Sequence, residues 1–507
     1  MISKYEHFMK SIIFVLLLFI TSFAIAQSTS YTEQFRPQFH FSPEKNWCND
    51  PNGLVYNNGL YHLFYQHNPF ENVWGHMTWA HATSKDLIHW KNLPIAIKEE
   101  NGIMIFSGTC VVDENNTSGF GKNGKIPMVA IYTGHIENVN QSQNIAYSLD
   151  DGMTWTKYSN NPVLDIQKKD FRDPKVFWDN SKKYWVMLLM LSAEHKVQFY
   201  ASYNLKEWKH LSDFGPVGDT AGVWECPDLV QVPIEGNTNK KKWLLQMSQN
   251  ATMQYFVGEF DGTSFTNENS ITEIYRPDYG PDYYAAISYN QLPKQHLPTA
   301  IGWVNNWNYA NKIPTTPWKG AMSLPRTLGV KKVNENWVLI QKTDPALNIL
   351  RKKLVTIPDV SLTNSKKIFP AKSTQFELQL SITPLEKNTV SAVRIAVNND
   401  TYFEVAYNNE TQILSADRSK IGTGDFSEQF KKMNIYEKKI ALVNNKIDLQ
   451  IYFDNSIAEI FVNNGEAVFT FQLFPKKNNV GIEIVSNNKT LFSNIKFWEM
   501  KNIWKKY

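Results

Sequence analysis

The feature that most limits how this chain can fold is a strand–turn–strand unit recurring about every 60 residues. The segments "AHATSKDLIHW" (80–90), "AYSLDDGMTW" (146–155), "YASYNLKEW" (200–208) and "VGEFDGTSF" (257–265) each read as a strand, a polar turn and an aromatic that opens the next strand. A second series interleaves with the first. "NDPNGLVYNNGLYHLFYQ" (49–66), "RDPKVFWDNSKKYWVMLL" (172–189) and "ECPDLVQVPIEGNTNKKKWLLQ" (225–246) each open with an acid beside a proline and continue as a hairpin of apolar strands. "FSGTCVVD" (106–113) and "DYYAAISY" (282–289) hold the matching places in two further units. Helical periodicity is nearly absent up to about residue 340. Five such units between residues 32 and 335 predict an all-β, five-bladed β-propeller, with a β-sandwich as the alternative for this length.

Beyond residue 335 the pattern changes. "DPALNILRKKL" (344–354) predicts a short helix, capped by Asp344 and with Pro345 at its first position, inside a linker spanning 336–370. From 371 to 507, strands of alternating polarity separated by Asn-rich turns predict a second all-β domain, a C-terminal β-sandwich. Lys4 and Lys10 ahead of "SIIFVLLLFITSFAIA", followed by "AIAQ", predict a signal peptide over residues 1–26 cleaved after Ala26. The expected destination is a periplasm or the cell exterior, with no stable membrane insertion after cleavage.

The formal charge of +4 over 507 residues, without basic runs interleaved with aromatics, argues against a nucleic-acid partner. Cys48, Cys110 and Cys226 are odd in number and widely spaced, so free buried thiols are expected rather than disulfides or a metal site. Oligomeric state leaves no mark in the sequence.

In a propeller the innermost strand of each blade borders the central axis, so residues near its start converge at one mouth of the molecule. Asp50, Asp173 and Glu225 hold such places in three units. Like charges resist joint ionisation, so folding alone gives little reason to gather them. A hard cation could neutralise the group, but no closely spaced DxDxD loop is present to complete six to eight oxygen ligands. Glycoside hydrolysis needs one carboxylate as nucleophile and one carboxylic acid as proton donor. Trp47, Trp74, Trp79, Trp224, Trp303 and Trp307 offer flat faces for a sugar ring, and Asn49, Gln66, Asn305 and Arg172 offer hydrogen bonds. Of the tryptophans, Trp47, Trp74 and Trp307 are the expected platforms.

Several motifs, in order, give a resemblance to a known family. "WCNDPNG", "FYQHNP", "WGHMTWAHATSKDLIHW", "FSGT", "FRDPK" and "WECPDL" are similar to those of glycoside hydrolase family 32, the invertases, levanases, inulinases and fructan exohydrolases. The resemblance covers residues 34–330 and continues weakly through "SIAEIFVNNGEAVFTFQLFP". It implies Asp50 as nucleophile, Glu225 as general acid/base and Asp173 as transition-state stabiliser. It also implies a fructose pocket lined by Asn49, Gln66, Trp74, Phe106, Ser107, Arg172 and Trp307. Fructan or sucrose is the implied substrate, with no metal and no cofactor. "GWVNNWNYANKIPTTPWKGAMSLPRTL" (302–328) resembles the exo-acting fructan hydrolases more than sucrose-restricted invertases. Three positions depart from the family pattern: Cys48 and Thr109, expected to reshape the pocket wall, and Ile287, which removes the expectation of a polar contact there. Sucrose-restricted invertase or endo-levanase activity is the nearest alternative and fructosyl transfer a further one; a non-catalytic carbohydrate-binding propeller and an inverting hydrolase acting on arabinans are the readings of another kind.

Overall fold

The computed structural model describes residues 31–422 and 424–504; the segment read as a signal peptide lies outside the described residues. Five four-stranded antiparallel blades follow one another in the chain. The first is built from Asn46–Asn57, Leu60–Asn68, Thr78–Ser84 and Trp90–Ile97. The second holds Met104–Val112, Met128–Ile136, Asn140–Ser148 and Thr156–Lys157. The third holds Phe171–Asp179, Tyr184–Leu191, Lys196–Ser202 and Lys209–Phe214. The fourth holds Trp224–Ile234, Asn237–Gln249, Thr252–Phe260 and Phe265–Asn267. Tyr284–Ser288, Thr299–Val304, Arg326–Val333 and Asn336–Thr343 make the fifth. A single parallel contact, Ile234 to Val330, links the fourth and fifth.

The repeated polar turns have a shared cause. In four blades an Asp or Asn side chain accepts from backbone N–H groups two to four residues ahead, folding the link between third and fourth strands. Asp86 accepts from Ile88 and His89, Asp150 from Thr154, Asn204 from Lys206 and Glu207, and Asp261 from Thr263 and Ser264. The first blade's inner hairpin turns on Asn58 and Gly59, both at positive φ (46° and 83°), the conformation that matches strand twist in a two-residue loop. Gly53 is fixed by space: a Cβ there would lie 2.7 Å from the Phe64 ring.

Adjacent blades are glued by five separate apolar clusters, one per interface. Leu63 and Ile301 lie between blades five and one, Phe64 and Cys110 between one and two. Val129 and Met187 lie between two and three, Leu188 and Met247 between three and four, and Val257 and Leu328 between four and five. The ring is latched where Trp318–Lys319, beyond the second strand of blade five, pairs in parallel with Asn46 and Trp47 of blade one.

Asp344 caps a 3-10 turn, Pro345–Leu350, accepting from Ala346 N, so the predicted helix forms only as this short turn. The segment read as a linker is shared out between the domains. Asn336–Thr343 closes the fifth blade, while Val355–Ile357, Val360–Leu362 and Ser365–Ile368 pair with sandwich strands. The two sandwich sheets, of seven and six strands, enclose one apolar core that includes Phe376, Val393, Phe453, Ile460 and Phe492.

Propeller and sandwich meet through buried charge. Glu459 receives Arg326 Nη2 at 2.6 Å and Leu324 N at 2.7 Å, and it faces His40 Nε2 at 3.1 Å. His40 Nδ1 lies 2.8 Å from Asp454 Oδ2, and Arg326 Nη1 reaches Asp278 at 2.9 Å. Burial pushes His40 down, but Asp454 and Glu459 outweigh it and raise its pKa to about 9.

A buried pair broken on one side leaves an uncompensated charge, costing about 3–5 kcal/mol. Glu459→Ala is expected to lower the urea midpoint accordingly, because both Arg326 and His40 lose a partner. His40 is raised from 6.5 to about 9, so its contribution is complete below pH 6.5 and is lost as pH rises through 9. Stability measured across that window should fall in the wild type and flatten in His40→Gln.

Candidate active site

Each blade's first strand carries a register shift near its start. The shifts fall at Cys48/Pro51, Ile105/Gly108, Arg172/Lys175, Glu225/Asp228 and Tyr284/Ile287. A bulge bends the strand and re-aims one side chain. Asp173, Cys226 and Ala285 take positive φ there (64°, 49° and 51°). The bulges of the first four blades turn side chains into a common pit of about 280 Å³, and Tyr284 at the fifth bulge touches Glu225 beside it. The walls of the pit are Asn49, Asp50, Gln66, Trp74, Phe106, Ser107, Arg172, Asp173, Glu225 and Trp307.

Three carboxylates share the pit, joined by short contacts. Asp50 accepts from Asn49 Nδ2 at 3.0 Å and from Ser107 Oγ at 2.8 Å. Asp173 accepts from the Cys226 backbone N–H at 2.9 Å. The Cys226 thiol lies 3.5 Å from Asp50 Oδ2 and 3.7 Å from Asp173 Oδ2, touching both. Arg172 reaches Glu225 Oε1 at 3.2 Å and Asp173 Oδ2 at 3.9 Å, and is itself held by Gln141 and Asp170. The Tyr284 hydroxyl donates to Glu225 Oε2. Gln66 Nε2 is buried in the wall without a hydrogen-bond partner. Phe106 stacks on His135 at 4.2 Å and meets Trp74 edge-on.

Ten of the eleven residues expected at the site line the pit. Trp47 does not: it is fully buried, donates its indole N–H to Asn49 Oδ1 at 2.7 Å and packs on Trp303 and Trp307. It orients Asn49 from behind. Trp79, Trp224 and Trp303 are likewise fully buried, as is Asn305. Cys48 and Thr109 are buried away from the pit and do not shape its wall. Ile287 sits one layer lower, with Pro51, Pro174 and Pro227, around a void of about 10 Å³ that closes the floor. The sequence reading missed Tyr284, Cys226 and His135. "DYYAAISY" carried a signal, since it holds the bulge position of the fifth unit, but two adjacent tyrosines left open which faces the axis.

Comparison with known proteins agrees with this geometry. Residues 40–343 match the glycosyl hydrolases family 32 N-terminal domain, and residues 347–499 match the family's C-terminal domain. The chain belongs to glycoside hydrolase family 32. It is 40% identical to a levanase of Bacillus subtilis over 97% of this chain and 74% of the levanase. It is 39% identical to an extracellular exo-inulinase of Aspergillus niger over 91% of this chain and 94% of that protein. The crystal structure of exo-inulinase from Aspergillus awamori superposes with a TM-score of 0.87 at 35% identity, covering 94% of this chain and all of the other.

In this family 32 hydrolase the electrostatics follow from burial. Desolvation raises the Asp50 pKa, Glu225 adds to the rise, and Asn49 and Ser107 oppose it. Asp173 is raised to about 7 by burial, against the pull of Arg172. The apolar walls behind Asp50 thus work against its ionisation, and its two side-chain donors work for it. Burial and the neighbouring aspartates push the Cys226 thiol up, so it stays a neutral donor. Among the described residues no His, Cys, Asp and Glu group has the arrangement to hold a metal ion; Arg172 is the positive charge in the pit.

Two measurements test this account. Asp173 is raised from 3.8 to about 7, so the folded state loses stability as pH rises through that window. Asp173→Asn removes the penalty: its melting temperature should exceed that of the wild type at pH 8, with the gap closing toward pH 4. Ser107→Ala removes a hydrogen bond that favours ionised Asp50. The acid limb of kcat/KM should move to higher pH, with a drop of about tenfold on the plateau.

Proposed function

We propose that this family 32 hydrolase is an exo-acting β-fructosidase. It releases fructose from the non-reducing ends of levan- or inulin-type fructans and also splits sucrose. The observation that carries the reading is the shape of the pit: three carboxylates at the bottom of one dead-end cavity. At about 280 Å³ it falls below the ~300–1,000 Å³ of drug-sized ligand sites. Such a volume suits a single furanose ring, and a floor closed by prolines admits a chain end rather than a chain middle. The extracellular exo-inulinase relative, and the signal-like pattern of residues 1–26, support export. No helix among the described residues is long and apolar enough to cross a membrane.

The reaction proceeds with retention. Asp50, as carboxylate, attacks the anomeric carbon of the terminal fructosyl unit while Glu225 gives its proton to the departing oxygen. Glu225 then takes a proton from water, and the water oxygen releases fructose from Asp50. Asn49 and Ser107 hold Asp50 in line. Tyr284 and Arg172 both contact Glu225 and hold its carboxyl in place over the two steps. Asp173 and the unpartnered Gln66 amide are placed to hold ring hydroxyls, with Trp74, Trp307 and Phe106 against the apolar ring face. Each hydroxyl that leaves water for the pit needs such a partner.

Product analysis decides this reading. With levan, inulin and sucrose supplied separately, free fructose should be the first product from each. Oligosaccharides preceding fructose would overturn exo-attack; cleavage of sucrose alone would make this an invertase. Asp50→Asn and Glu225→Gln should each lose several orders of magnitude in kcat while remaining folded. Wild-type turnover in either would remove that residue from its role.

A further inference from the structure

A second cavity, of about 270 Å³, lies at the far ends of the inner strands of blades two and three, against Asn290 and Gln291. Its lining includes Val112, Phe177, Trp178 and Gln291, residues that follow the bulges on inner strands. Trp178 lies five residues past Asp173, about 15 Å further along its strand. Asn290 and Gln291 knit this end of the inner strands together, and no residue lines both cavities. Asn290 Nδ2 donates to Thr109 Oγ1, Cys110 O and Val176 O, and Gln291 bonds both backbone groups of Val112. The cavities are therefore separate sites.

The wall chemistry of this cavity is that of a sugar site. Trp178 is half-buried and meets Trp185 edge-on at 5.1 Å, offering an aromatic face. Around it stand Glu114, Asn115 and Asn180, whose exposed side chains make no hydrogen bond or ion pair among the described residues. The turn carrying Glu114 and Asn115 is preorganised. Buried Asp113 accepts from Thr117 N at 2.9 Å and Ser118 N at 2.8 Å, and Thr117 Oγ1 holds the Trp185 indole N–H at 2.8 Å. An apolar plate, two free amides and one free carboxylate on a rigid frame match a pyranose or furanose ring: C–H face on indole, hydroxyls on the rim. None of these residues is needed for the chemistry in the pit.

We propose that this cavity is a non-catalytic binding site for a fructosyl stretch of the polymer. The identity of the sugar rests on the fructosidase reading above. A chain segment held in this cavity keeps the enzyme on the polymer between turnovers, raising the effective concentration of chain ends at the pit.

The test uses the full-length protein. In Asp50→Asn, with turnover removed, the Trp178 indole N–H resonance, assigned by its loss in Trp178→Phe, should shift saturably with inulin or levan oligosaccharides. Dextran should leave it in place. In otherwise wild-type enzyme, Trp178→Ala should raise KM for polymeric fructan about tenfold, with kcat and the sucrose kinetics unchanged. Glu114→Ala/Asn180→Ala should do the same; both side chains are exposed, so this pair does not threaten the fold. An indole signal unmoved through the fructan titration, or moved equally by dextran, overturns the proposal. Failure of the wild type to release fructose from any substrate would refute the fructosidase reading instead, and the titration would still decide the second cavity.

Discussion

The constraint on which this structure depends is the burial of Asp50 and Asp173 beside Glu225 in one narrow pit. Ionising them there costs free energy: burial raises the pKa of both Asp50 and Asp173, and the charge of Glu225 adds to each rise. The surroundings offset part of that cost with one guanidinium, the Asn49 and Ser107 side-chain donors on Asp50, the Cys226 thiol between Asp50 and Asp173, and one backbone N–H on Asp173. None of these donors comes from a group free to leave. Arg172 is itself held by Gln141 and Asp170, and Asn49 by Trp47. The site is strained by design of its neighbours, and its geometry persists because the rest of the fold over-determines it.

That over-determination begins just beneath the pit. Lys175 Nζ lies 2.8 Å from Asp228 and 2.7 Å from Ser288 O, so one buried cation ties blades three, four and five. Lys175 is two residues past Asp173, and Asp228 is three past Glu225. A displacement of either acid would drag this pair apart, and breaking a buried pair costs more than exposed contacts can return. Gln246 donates to Asp228 at 3.2 Å, which meets the remaining oxygen lone pairs. The bulges re-aim the side chains, and the ion pair below them fixes how far the strands can slide.

Much of this was legible in the sequence because it is local or periodic. The repeat of Asp or Asn turns, as at Asp86, Asp150, Asn204 and Asp261, marks each blade; the acids beside prolines mark where inner strands begin. What could not be read is the choice among chemically equal candidates. Trp47 and Trp74 look alike in the sequence, yet Trp47 lies on an inner strand with its ring in the core, while Trp74 sits in the loop between Leu60–Asn68 and Thr78–Ser84, exposed on the rim. Tyr283 and Tyr284 are neighbours, but Tyr283 lies under the Arg326 guanidinium at 4.0 Å while Tyr284 meets Glu225. Only the position of the fifth bulge relative to the axis separates them. The division of residues 336–370 between two domains was equally hidden, because short strands such as Val355–Ile357 gain their pairing from partners more than a hundred residues away.

The sandwich contributes no residue to the pit, yet it governs the strand that carries Asp50. Asp454, at the end of a sandwich strand, accepts from the backbone N–H groups of Gln38, Phe39 and His40 at 2.6, 2.8 and 3.0 Å. These residues lead directly into Asn46–Asn57, the innermost strand of blade one. Asn455 and Ser456 add side-chain bonds to the Arg36 and Phe35 carbonyls. Blade one has no preceding blade in the chain to hold its entrance; within the propeller the segment before Asp50 is held by Trp318–Lys319 and by single bonds such as Met322 N to Phe41 O, and the sandwich adds this grip. An inner strand free to fray moves its bulge, and a shift of about 1 Å at a reacting carboxylate can cost on the order of a hundredfold in rate. The second domain therefore acts as a clamp on the start of the chain, and its buried charges bear on the position of the strand that carries Asp50.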